Sequence, residues 1–426
     1  MYSRIRRCRI CSNANLTPLL SLGVQTLTGI FPSNLDTPLA RGPLELVRCT
    51  ASGNSDHCGL VQLGHSYDSA DLYGDTYGYR SSLNRSMVEH LRSKVAKLTA
   101  LSGLRDGDAV LDIGSNDGTT LSFFPEGKVL PVGIDPTARK WRHYYRGDIL
   151  VVPELFSAAG VRSAIGEKRL RVITSIAMFY DLESPQSFVD QVAELLDDDG
   201  IWHLEQSYLT AMLSANAYDT ICHEHVEYYA LRQVNMLVER AGLKVIDVEL
   251  NDVNGGSFAV TAAKKSSRYQ VSAAVAQLQK KEDGSGLDDP VTYSRFDDFV
   301  QQHRRELKIL LAGLRAEGKK VIGYGASTKG NVILQFCNLG PADLECIAEV
   351  NEEKFGKFTP GTGIPIVSES EAKARQPDYL LVFPWHFREN LVEREAAFLR
   401  GGGRMIFPLP KIEVIGAGAR QPAARR

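Results

Sequence analysis

The chain contains no apolar run approaching the ~20 residues that a membrane-spanning helix needs, so no membrane partner is expected. Its basic start is not followed by an apolar segment, so it does not read as a secretory signal. It also lacks an excess of either charge: 49 basic residues stand against 51 acidic ones. The short arginine groups near the two ends (Arg4, Arg6, Arg7; Arg420, Arg425, Arg426) read as solvated rather than as a nucleic-acid footprint. Cysteines number seven, an odd complement that argues for thiols in a reducing, cytoplasmic setting. Neither Gly-x-Gly-x-x-Gly nor Gly-x-x-x-x-Gly-Lys-Ser/Thr occurs, so the dinucleotide and P-loop fingerprints are absent. What remains is an ordinary globular composition, 43% hydrophobic and 23% charged over 426 residues. That length suits two or three domains, each with its own core.

The most informative stretch is Val110-Leu-Asp112-Ile-Gly114-Ser115-Asn116-Asp117-Gly118. It reads as a buried strand entering a tight glycine turn, with a helical start at Thr119–Phe124. Such a turn aims backbone N–H groups at a ligand and suits a nucleoside-bearing cofactor. About twenty residues on, Asp135 ends a second apolar strand and can accept both hydroxyls of a ribose. The competing reading is an ordinary βα turn with an unrelated Asp.

Residues 1–72 differ from the rest. They hold four of the seven cysteines, many turn residues and little periodicity. Cys8-Arg-Ile-Cys11 is a knuckle, and Cys49 with Cys58 is a second, stretched pair. Four thiolates from two loops form a closed tetrahedral zinc site. His57 stands beside Cys58 as an alternative ligand. A redox Cys-x-x-Cys would need a βαβ context that this segment lacks.

Residues 73–265 alternate strand and helix, the pattern of a mostly parallel sheet. Strands are expected at Ala109–Ile113, Val129–Ile134, Leu170–Ser175 and Gly200–Glu205. Pro136 suits the first turn of a helix reaching about Tyr145. Helices are also expected at Pro185–Leu196 and Ala230–Ala241. Leu243–Leu250 and Ser257–Ala263 suit a closing hairpin around Asn254-Gly255-Gly256. Residues 266–426 begin with a polar connector and a long amphipathic helix, Tyr293–Glu317. A second α/β unit follows, and Gly323-Tyr324-Gly325-Ala326-Ser327-Thr-Lys329 repeats the strand, glycine turn and helix logic. The helix start and the Lys329 charge suit a phosphate or diphosphate; a merely structural turn is the alternative.

Between the two units lies Ile221-Cys-His223-Glu224-His225-Val-Glu-Tyr228-Tyr229. His-Glu-x-x-His is absent, so a metal reading is weak. A solvated polar loop and a general acid–base site compete. The tyrosines of Tyr73-Gly-Asp-Thr-Tyr77-Gly-Tyr79 suit either a lid bearing phenol donors or interdomain packing.

These pieces in this order resemble the deoxysugar C-methyltransferase family. The matching stretches are the cysteine pairs, Tyr77-Gly-Tyr79-Arg-Ser-Ser, Asp112 to Gly118, His223-Glu-His225, Asn254-Gly-Gly-Ser257, Gly323-Tyr-Gly-Ala326 with Lys329, and Phe383-Pro-Trp385. The resemblance covers nearly the whole chain. It implies an N-terminal zinc-binding domain, a central class I S-adenosylmethionine (SAM) domain and a C-terminal Rossmann-like domain that binds the sugar nucleotide. The implied zinc ligands are Cys8, Cys11, Cys49 and Cys58. The implied SAM site is Asp112, Gly114–Gly118, Asp135 and Pro136. His225 is the implied base, with Glu224, His223, Tyr77 or Tyr79 near the sugar. Tyr228, Asn254, Gly323–Ser327, Lys329 and Trp385 would contact the substrate, a TDP- or GDP-linked 4-keto deoxysugar methylated at C3. Some members carry tyrosine ahead of the Glu-His pair where this chain has Cys222 and His223, so that role would pass to His223 or Tyr228. A sugar O- or N-methyltransferase, or a non-catalytic nucleotide-sugar binding protein, is the alternative.

Overall fold

The computed structural model describes residues 2–51, 57–68, 72 and 80–416. The first unit is built of two small sheets rather than a set of turns. It holds β1 (Tyr2–Arg4), β2 (Leu16–Thr26), β3 (Arg41–Cys49), β4 (Val61–Leu63) and β5 (His65–Tyr67). Strands β2, β3 and β4 pair antiparallel. Leu20, Leu22, Leu44 and Leu46 are buried along it.

The central sheet comprises β6 (Ala109–Ile113), β7 (Leu130–Ile134), β8 (Leu150–Val152), β9 (Leu170–Ile176) and β10 (Leu196–Ser207). The short β11 (Glu227–Tyr228) follows, then β12 (Leu243–Asn251) and β13 (Ser257–Lys264). The order is β8-β7-β6-β9-β10-β13-β12, with β13 antiparallel to both neighbours. All five residues of β6 are buried, as expected of a parallel strand covered on both faces. The chain reverses direction across the sheet between β6 and β9, and the carboxyl ends there open a ligand crevice. β11 leaves this sheet altogether and pairs antiparallel with β4, so the segment after His225 is strapped to the first unit.

Two expected helices are shorter than the sequence pattern suggests. The start at Thr119 yields only a 3-10 turn, Leu121–Phe123, because Pro125 forces Phe124 into extended backbone. The helix after Pro136 shrinks to Ala138–Trp141 and a further 3-10 turn. Ending there brings Tyr145 inward, where its hydroxyl donates to the Asn116 carbonyl at 2.8 Å.

Helices Ala273–Asp283 and Pro290–Ala316 lead to a third sheet. It contains β14 (Val321–Tyr324), β15 (Ile347–Glu349), β16 (Ile366–Ser368), β17 (Tyr379–Val382), β18 (Arg404–Phe407) and β19 (Glu413–Ile415). The order is β16-β15-β14-β17-β18-β19, parallel except for β19. A second crevice therefore opens beside β14. One continuous apolar core runs from Cys8 to Ile415. The molecule is a mixed α/β protein with a small cysteine-bearing first unit, a central mostly parallel sheet and a C-terminal α/β sheet. Among the described residues no helix is long and apolar enough to cross a membrane.

Candidate active site

The cysteine ligands come together. Cys8 and Cys11 flank a tight turn in which Ser12 has φ 60° and its N–H donates to the Cys8 carbonyl at 3.0 Å. Cys49 ends β3, and Cys58 precedes β4. The four sulfurs lie within 4.8 Å of one another, with Cys8 to Cys58 at 3.4 Å and Cys11 to Cys49 at 3.5 Å. Zn–S bonds of about 2.3 Å give a tetrahedron edge of about 3.8 Å, so the donor set fits zinc. The amide of Asn13 points at the Cys49 sulfur at 3.4 Å, a donor that suits a thiolate. His57 is exposed and outside this group, so Cys58 is the ligand of the second pair. The surrounding strands are antiparallel, which removes the redox alternative.

The first glycine turn is built for close approach. Gly114, Asn116 and Gly118 have φ of 76°, 50° and 78°. A methyl on Gly118 would lie 2.8 Å from the Tyr145 ring. Asp135 accepts from the Asn116 N–H at 2.8 Å and from the Thr137 N–H and hydroxyl at 2.6 Å. Oδ1 takes both Thr137 bonds and Oδ2 the Asn116 bond, so the carboxylate closes the loop and keeps one lone-pair site, on Oδ2, for a ribose hydroxyl. Asp112 accepts from the Thr174 hydroxyl at 2.6 Å, and burial pushes its carboxyl up to about 7. Ser81 and Ser82 donate from their N–H groups to Asn116 and Asp117, both at 3.0 Å. The chain leaving the tyrosine segment is thus pinned above the turn. Tyr77 and Tyr79 themselves lie outside the described residues.

The second constellation forms where all three units meet. His225 is held by its Nδ1–H, which donates to the Thr220 carbonyl at 2.9 Å, and its ring packs 4.1 Å from Tyr180. Its Nε2 has no partner among the described residues. Burial first, and the Lys329 charge second, push this imidazole down to about 3. Glu224 is buried against the first unit. It accepts from the Thr28 hydroxyl at 3.5 Å, and burial raises its carboxyl toward the protonated form. A methyl placed on Gly29 would overlap Glu224 Oε1 and lie 3.7 Å from the Thr328 hydroxyl. Lys329 donates to the Asn254 carbonyl at 2.6 Å. Asp219, one residue before Thr220, accepts from the Trp385 indole at 2.7 Å.

Two expected site residues face elsewhere, and a third has no polar partner among the described residues. His223 is fully buried, with Nε2 at 3.3 Å from the Gly42 carbonyl and Tyr67 edge-on at 4.8 Å. It packs into the first unit rather than beside Glu224. Tyr228 lies on β11 with its hydroxyl buried and unpartnered. Tyr324 donates to Glu395 at 2.6 Å and is spent on the fold. The remaining residues of that turn are as the motif suggests. Ser327 caps the helix Thr328–Phe336 by accepting from Gly330 N–H, and Gly325 has φ 87° with Pro384 2.7 Å from any added Cβ. Gly323 is required by packing against Ile347 and Phe383.

Glu349 was not among the expected residues. It ends β15 and accepts from the Ala326 N–H at 2.8 Å, repeating the Asp135 arrangement. An acid closing a second apolar strand was its available signal. Lys354, whose ammonium donates to the Ala326 carbonyl at 2.7 Å and lies 4.4 Å over Phe31, had none.

Comparison with known proteins gives three consecutive family matches. A zinc binding domain covers residues 8–73, a methyltransferase domain 85–248 and a C-methyltransferase C-terminal domain 252–410. The C-methyltransferase NovU of Streptomyces niveus is 33% identical over 416 residues, covering 97% of this chain and 97% of that protein. Among solved structures, magnesium protoporphyrin IX methyltransferase (ChlM) from Synechocystis PCC 6803 with bound SAH shares 14% identity and a TM-score of 0.34, covering 43% of this chain and 88% of that one. The CcbJ methyltransferase from Streptomyces caelestis shares 14% identity and a TM-score of 0.33, covering 41% and 94%.

Proposed function

The chain belongs to the C-methyltransferase family, a SAM-dependent enzyme with a zinc-binding first domain, and from that premise we propose that its acceptor is a nucleotide-linked 4-keto deoxysugar methylated at C3. The observation that carries the proposal is the state of His225. Its Nδ1–H is committed to Thr220, which leaves the Nε2 lone pair without a partner among the described residues, and the Lys329 charge acts on this ring.

A carbon beside a ketone becomes nucleophilic only when its proton leaves. The Nε2 lone pair accepts the C3 proton while the C–H electrons move into the enolate. Burial raises the Glu224 carboxyl, which favours its O–H form as a donor beside that base in the sequence. SAM, when bound, supplies an electrophilic methyl group to the C3 carbanion. As the enolate electrons form the C3–CH3 bond and the ketone is restored, the S–CH3 bond would break and release S-adenosylhomocysteine, and His225 would pass its proton to solvent. Orientation of two bound partners is worth ~7–11 kcal/mol of such a barrier. Lys329 and the N-terminus of Thr328–Phe336 suit the diphosphate. Pairing with that dianion also offsets the charge that depresses His225, so substrate binding strengthens the base.

The test is incubation with SAM and thymidine- or guanosine-linked 4-keto sugars, followed by mass spectrometry and by C3 deuterium exchange in heavy water. A gain of one CH₂, with exchange at C3, is expected. Methyl transfer to oxygen or nitrogen without C3 exchange would overturn the proposal.

A further inference from the structure

Resting on the 4-keto sugar reading above, we propose that His386 is a substrate-contacting residue whose Nε2–H donates a hydrogen bond to the ketone oxygen as the enolate forms. His386 lies in the 3-10 turn Trp385–Phe387, just beyond the carboxyl end of β17 and beside the second crevice. It is tied to the same cluster as the base. A Cβ added to Gly255 would stand 3.2 Å from the Trp385 ring and 3.9 Å from the His386 Cβ. The adjacent Asn254 carbonyl holds Lys329 at 2.6 Å. Trp385 in turn donates to Asp219, whose neighbour Thr220 holds the Nδ1–H of His225 at 2.9 Å. Both imidazoles therefore hang from residues adjacent to one interdomain hydrogen bond.

Their exposed nitrogens differ. Nδ1 of His386 is buried with no partner, whereas Nε2 has no partner among the described residues and is not sealed from solvent. A neutral imidazole has one N–H, and burying that donor unsatisfied costs about 1–3 kcal/mol. The favourable tautomer keeps the proton on Nε2, the nitrogen that is not sealed. His225 has the opposite tautomer and presents a lone pair. Enolisation needs one of each, an acceptor at the C–H and a donor at the carbonyl oxygen. Burial first, and Lys329 second, hold His386 down to about 3, so it stays a neutral donor and does not compete as an acid. A neutral histidine polarising a carbonyl is an established chemical strategy.

The variants His386→Phe, which removes the donor, and His386→Gln, whose amide N–H can reach the Nε2 position, separate this role from a structural one. Loss of one such donor costs ~10²–10³ in rate. The Phe variant should lose roughly that factor in both kcat and C3 deuterium exchange without SAM, with KM nearly unchanged; the Gln variant should regain about tenfold or more. S-adenosylhomocysteine binding by calorimetry checks that both variants are folded. Exchange at the wild-type rate in the Phe variant, a loss confined to KM, or no rescue by Gln overturns the proposal. Nitrogen NMR of the free protein gives an independent reading: a ring proton on Nδ1 of His386 overturns it whatever the substrate. A wild-type enzyme that exchanges no C3 hydrogen in any 4-keto sugar overturns the substrate reading and this inference together. A wild type that exchanges, with a Phe variant that keeps pace, overturns the donor alone.

Discussion

The Thr220 carbonyl fixes the tautomer of His225, and burial with the Lys329 charge fixes its protonation state. An imidazole whose folded value is about 3, against an ordinary 6.5, is neutral across the physiological range. The sign follows from linkage. This group's contribution to stability is complete above 6.5 and is lost as pH falls toward the folded value. The pH profile of kcat/KM reports the free enzyme, so no inflection from this ring is expected near 6.5. Lys329→Met removes a repelling charge. The acid limb should then move upward, stopping short of the ordinary value because burial, the larger cause, persists. His225→Ala should cost ~10²–10⁴ in turnover while SAM still binds by calorimetry. A His225→Ala enzyme with wild-type kcat, or an unmoved limb in Lys329→Met, would contradict the assignment. At this scale the sequence was partly legible. The four cysteines stand out because residue type and spacing carry their chemistry; His225 stands out as a base only through the family resemblance, and Lys329 as a charge at a helix start. His223 and Tyr324 share those motifs yet face inward, since a motif does not state which way a side chain points.

The loop between β2 and β3 brings a neighbouring domain against Glu224, a wall of the proposed acceptor site. Thr28 and Gly29 press on Glu224, and Asn331 of the helix Thr328–Phe336 donates to the Thr28 carbonyl at 2.7 Å. Gly29 has no left-handed backbone requirement, so Gly29→Ala introduces no backbone strain; the added methyl meets the mobile end of Glu224. The fold should therefore lose less than about 1 kcal/mol, a small change in melting temperature. Turnover should fall about tenfold or more as the Glu224 carboxyl is displaced, because donor geometry matters at the ångström level. Unchanged kcat in Gly29→Ala, at unchanged stability, would remove Glu224 from the reaction. Elements were legible where burial is simple. Strand β6, apolar and covered on both faces, matches its expected bounds. Helix Arg85–Ser102 gave little signal because its inward face includes Lys94 and Ser102 among the apolar residues. Strands β2 and β3 hid because register shifts after Pro18 and Ser21 break the period of two.

Across the whole molecule, the three units are joined by contacts that no local pattern reveals. Thr26 and Gln335, 309 positions apart, exchange two hydrogen bonds of 2.7 and 3.0 Å. β11 completes the sheet of the first unit two residues after His225. The zinc centre thus anchors β3 and β4, which hold β11 and, through β2, the loop against Glu224. By contrast, the SAM turn is braced within the central sheet, by Asp135 on Asn116 and by Tyr145 on Ser115 at 2.8 Å. Removing zinc should therefore separate two properties. Replacing Cys8 and Cys58 with serine leaves two of four thiolate ligands, too few for a closed zinc site. The expected variant lacks zinc by elemental analysis and loses most turnover, while S-adenosylhomocysteine affinity stays within a few-fold of wild type. Hydrogen exchange should rise in β4, β11 and the loop after β2 and remain unchanged in β6 and β7. If turnover survived metal loss, the first unit would be a detachable module. If cofactor affinity fell together with turnover, the central sheet would depend on zinc for its own fold. Only divergence of the two fits a metal that shapes the acceptor side of the site through β11 and the Thr28–Gly29 wall.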